Sequence, residues 1–101
     1  LTYLVQGLTL NKLDFIHRGM LKLYEIDYFK NDTSLFIDWI DQAEAVISEK
    51  VDLAEVDRYL AAFVYMHYKH TNHAMTKKQI IDSFEVTRYK LDKTIAFILS
   101  I

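Results

Sequence analysis

Thr76-Lys-Lys-Gln-Ile-Ile-Asp-Ser-Phe-Glu-Val-Thr-Arg-Tyr-Lys-Leu-Asp-Lys-Thr-Ile95 decides how this chain folds. Thr76 is an N-cap residue type placed before a short apolar-periodic run, which predicts a helix over Lys77–Phe84. Glu85 and Val86 make a brief turn, and Thr87 caps a second helix from Arg88 to about Leu99. Ile80 and Phe84 on the first helix, Val86 in the turn, and Leu91 and Ile95 on the second supply apolar residues where the two would meet. Lys77, Lys78, Thr87, Arg88, Tyr89, Lys90 and Lys93 are left on the outside.

Outward from this stretch, punctuation is sparse. Proline is absent, and the glycines are Gly7 and Gly19. A β-rich chain of 101 residues needs several turns with positive φ, which usually take glycine or asparagine, so the fold class expected is all-α with about five helices. Leu1–Val5 reads as a short strand or an extended arm. A first helix begins near Thr9 or Asn11, with Leu13, Ile16, Met20, Leu21, Leu23 and Tyr24 as its apolar set. Gly19 inside it costs about 1 kcal/mol against alanine and marks a close helix contact or a bend. After the cap-rich Lys30–Ser34, a second helix carries Leu35, Phe36, Ile37, Trp39, Ile40, Ala43, Val46 and Ile47. Asp38, Asp41, Glu44 and Glu49 mark its solvated side rather than a metal or acid/base set. Asp52, with Glu55 three residues on, caps a third helix reaching about Tyr68 that is apolar nearly all round, and hence central.

The 76–95 stretch resembles the helix-turn-helix of transcriptional regulators, in which a short helix and a steeply crossing second helix are joined by a tight turn. With the preceding long helix it gives a tri-helical unit over residues 51–101, either wingless or a winged helix whose wing would follow Ile101. Residues 1–50 form two helices that pack on the long third helix and serve as a dimer or partner surface, with Phe36, Trp39 and Ile40 as anchors. The resemblance implies a small regulator, of the prokaryotic, phage or plasmid kind, that binds double-stranded DNA as a homodimer. The outer residues of the second helix would face the major groove, Arg88 contacting guanine, with Lys77 and Lys78 beside the phosphate backbone. The chain departs from the family's pattern at Ile81, where a small residue is usual, at Glu85, where glycine is usual, and at Thr94, where an apolar residue is common. Glu85 therefore predicts a turn of a different form, and Asp92 on the outer face would repel phosphate.

Charge agrees with this reading. Residues 1–65 carry 6 basic and 11 acidic side chains, a balance of −5, whereas residues 66–101 carry 6 basic and 3 acidic, a balance of +3. The competing expectation is a helical protein-interaction module (an adaptor, inhibitor or assembly subunit) using the acidic first half. Tyr59, Phe63, Tyr65 and Tyr68 lie among aliphatic residues and read as core rather than as a base-stacking platform. Tyr89 is divided between a DNA contact and packing within the protein.

Other chemistries are poorly provided for. The chain has no cysteine, which excludes disulfides, thiolate metal sites and thiol catalysis. His67, His70 and His73 recur every three residues, but without cysteine no metal site is assigned to them. The sequence contains no nucleophile elbow, phosphate-binding loop or zinc-protease motif, and the expectation is a non-enzyme without a cofactor. No apolar run is long enough to span a membrane, so no membrane association is expected, and the location expected is cytoplasmic. The start at Leu1 rather than Met suggests a processed chain or an excised fragment.

Overall fold

The structure, a computed structural model, describes residues 10–48, 51–71 and 75–101. Among them every regular element is helical: α1 Leu10–Glu25, α2 Thr33–Val46, a single 3-10 turn Leu53–Glu55, α3 Val56–His70, α4 Lys77–Ser83 and α5 Arg88–Leu99. The all-α class of about five helices is therefore observed. Leu1–Val5, read as a strand or arm, lies outside the described residues. The chain divides after Val56 into two compact units. The sequence reading placed its boundary after residue 50. The 3-10 turn contacts α1 and so goes with the first unit.

In the first unit α1 and α2 pack together. The buried residues of α1 are Lys12, Phe15, Ile16, Gly19 and Leu23, a stripe spaced by threes and fours. This corrects the expected apolar set. Phe15 is fully buried, whereas Leu21 and Tyr24 are exposed, because both lie on the side of α1 opposite the stripe that meets α2. From α2 come Leu35, Trp39 and Ala43, followed by the cap residue Ile47. The rings of Phe15 and Trp39 stack at 6.0 Å, and the Trp39 indole N–H donates to the Ile16 carbonyl at 2.9 Å. Gly19 lies where the indole needs room: a Cβ built there overlaps Trp39, whose Nε1 would be 2.7 Å away. Of the two readings of Gly19, the close helix contact is the one observed. Lys12 donates its ammonium to the Glu44 carbonyl at 2.6 Å, satisfying one of the four carbonyls at the end of α2 that have no helical partner. Asp32 caps the other end, accepting from the Leu35 amide at 3.2 Å and the Ser34 hydroxyl at 2.8 Å.

Trp39 requires a second correction. Read from the sequence as an anchor of a dimer or partner surface, it is 1% exposed and belongs to the core of its own unit. Phe36 and Ile40 are half-buried, and Ile37 is the large apolar residue that α2 turns to solvent.

The cap at Asp52 is present, but on the 3-10 turn: its carboxylate accepts from the Ala54 amide at 3.0 Å, and the α-helix begins only at Val56. Within α3 every residue from Tyr59 to Val64 is buried, as are His67 and Tyr68. This burial on all sides is what the apolar run predicted, and it places Tyr59, Phe63 and Tyr68 in the core. Tyr65 is half-buried.

The three helices of the second unit are in mutual contact. Helices α3 and α5 meet through Arg58, whose guanidinium donates to the Thr94 hydroxyl at 3.3 Å, and through an edge-to-face pair of Tyr59 and Phe97 at 6.4 Å. Helices α4 and α5 pack directly, and Lys77 of α4 reaches over the Tyr65 ring of α3 at 5.7 Å. The buried residues of α4 and α5 are Ile80, the cap residue Phe84, Leu91, Thr94 and Ile98. Val86 and Ile95, expected in the core, are half-buried; for Ile95 the reason is that the inward stripe of α5 runs Leu91–Thr94–Ile98. Thr94 is fully buried with both roles of its hydroxyl used, donating to the Lys90 carbonyl at 2.7 Å and accepting from Arg58.

Candidate nucleic-acid interface

Local chemistry sets both helix starts. The Thr76 hydroxyl accepts from the Gln79 amide at 3.2 Å, and the Gln79 side chain accepts from the Thr76 amide at 2.9 Å. This reciprocal pair fixes the entry to α4. Phe84 ends the helix in extended backbone, φ −126° and ψ 148°. The Val86 amide then donates to the Phe84 carbonyl at 2.8 Å, closing a three-residue turn around Glu85. Thr87 accepts from the Lys90 amide at 3.2 Å and starts α5.

Arg88, Tyr89, Lys90 and Lys93 follow at once, and all four are exposed. Tyr89, with packing within the protein as one of its two expected roles, is 68% exposed. The Lys93 ammonium lies 5.2 Å from the centre of its ring, a cation–π contact one helical turn apart. The first two turns of α5 thus expose a guanidinium, two ammoniums and a phenol, with Tyr89 and Lys93 side by side.

Lys77 and Lys78 are placed differently. Lys77 pairs with Asp92 at 2.8 Å across the two helices, and Lys78 pairs with Asp82 at 3.0 Å along α4. Asp92, expected to repel phosphate, is held below its ordinary pKa chiefly by the hydrogen bond from Lys77 and further by the charges of Lys77 and Arg88. Its charge is compensated from within the protein, at the expense of Lys77 as a free cation. Thr87 is exposed and acts as the cap of α5.

The histidines remain apart in role. His67 is buried with its ring edge-to-face on Tyr68 at 5.3 Å, His70 is exposed, and His73 lies outside the described residues. Among the described residues no group of three or more His, Asp or Glu side chains is placed to hold a metal ion. No described helix is long and apolar enough to cross a membrane.

The sequence reading missed one grouping. Tyr65, Met66, Lys69 and His70 of α3 face Ile95 and Leu99 of α5 across a cavity of about 360 Å³. The signal available was the pair of spacings, four residues apart on each helix, but nothing local says that the two strips face each other. No family model matches the chain, and no curated protein or solved structure matches it.

Proposed function

We propose that this chain is a small cytoplasmic regulatory protein that binds double-stranded DNA through a helix-turn-helix formed by α4 and α5. The observation that carries the reading is the exposure of Arg88, Tyr89, Lys90 and Lys93 together on the first two turns of α5, directly after the Thr87 cap. In the major groove Arg88 pairs with a guanine, and Lys90 and Lys93 neutralise phosphates. Tyr89 lies against a sugar, a base or a thymine methyl. Lys78 adds a weaker contact, since an exposed ion pair along a helix exchanges readily for phosphate. So few cations bind one half-site weakly, and specific recognition is by a homodimer. Arg88→Ala should cost about 1–3 kcal/mol at one base pair and relax specificity there. Duplex titrations against variant sites measure this, and unchanged affinity would refute the assignment.

A second reading, a helical protein-interaction module, is favoured by Leu21, Tyr24 and Tyr28. These residues lie on the first unit with exposures of 49%, 66% and 65%. Heparin retention and a salt-dependent shift of random duplex support the DNA reading, and indifference to both supports the module.

A further inference from the structure

The end of α3 carries Tyr65, Met66, Lys69 and His70, which share one helix face because they lie one turn apart in pairs. Ile95 and Leu99 form the matching strip on α5. Together they line a half-open cavity of about 360 Å³, near the lower end of the size of small-molecule sites. Tyr65, Met66 and Ile95 are half-buried, and Leu99 and the two cation-forming side chains, Lys69 and His70, are exposed at the rim. Among the described residues no carboxylate lines the cavity. An apolar body would fill such a site, and an anionic head would meet the rim.

We propose that this cavity binds a small apolar carboxylic acid, its hydrocarbon against Tyr65, Met66, Ile95 and Leu99 and its carboxylate at Lys69 and His70. The proposal goes beyond the DNA reading and holds whether or not α5 meets a duplex. A neutral apolar molecule would leave the rim charge without a partner, and an inorganic anion would leave the walls wet. The carboxylate head stays near solvent, so its desolvation is small and the ion pair is of the surface kind.

The test uses the full chain at constant pH and three probes of matched tail: octanoate, octanol and octylammonium. Methionine methyl NMR supplies the readout, since Met66 lines the cavity and Met20 lies in the other unit. Octanoate should shift the Met66 methyl saturably, leave Met20 in place, and bind more tightly than the other two. Lys69→Glu, at an exposed position where the fold is safe, should weaken octanoate by roughly fivefold and move octylammonium ahead of it. Absence of saturation, equal shifts at Met20, octanol matching octanoate, or an unaltered ranking in Lys69→Glu would each overturn the proposal.

Discussion

A methyl group at residue 19 has nowhere to go. Helix propensity favours alanine over glycine by about 1 kcal/mol at an exposed helical position. Here the new Cβ would overlap the Trp39 indole, which is already fixed by its stack on Phe15 and its hydrogen bond to the Ile16 carbonyl. Overpacking of this kind costs about 1–3 kcal/mol or more, so the steric effect exceeds the propensity gain. Gly19→Ala should lower the urea midpoint and disturb Trp39 fluorescence. A raised midpoint would show that the indole moves aside without cost. The sequence marked Gly19 as unusual, but only the position of α2 distinguishes a contact from a bend. Thr94 teaches the same lesson from the polar side: its place in the core depends on Arg58, which is 36 positions away in the chain.

At the scale of elements, the short α4 depends on its cap. Seven residues are too few to be stable by propagation alone, so the reciprocal Thr76–Gln79 hydrogen bonds weigh heavily. Thr76→Ala should cost about 1 kcal/mol, read from the denaturant midpoint, and Thr76→Ser should recover most of it. An equal loss in both variants would point away from capping. The tie between α4 and α5 has a pH signature. Asp92 titrates below its ordinary value because Lys77 stabilises the carboxylate. For a lowered carboxylate pKa the stabilisation is complete above the unfolded value and disappears as pH falls through the native one. In Lys77→Ala the Asp92 carboxyl should titrate higher, nearer its ordinary value, when followed by NMR. An unmoved midpoint would mean that the hydrogen bond does not control it. Ion pairing across the helices was not legible from spacing, because Lys77 and Asp92 are 15 residues apart.

Across the whole molecule, positive charge gathers in the last third of the chain, and the structure then spends part of it internally. Arg88, Lys90 and Lys93 lie outside on α5 as the sequence implied, since Leu91 had to point inward and they occupy other faces. The helical class, the approximate number of helices, the cap-rich break before α2 and the starts at Thr76 and Thr87 were all legible in the sequence. Each follows from groups within about four residues of one another, where capping and periodicity act. Other features were decided by tertiary structure. Trp39 is internal and Tyr24 external, the inward stripe of α5 takes Thr94 rather than Ile95, and Lys77 is tied to Asp92. The sequence names which side chains are apolar or charged. Which of them leave water, and which charges meet, depends on where a distant helix comes to lie.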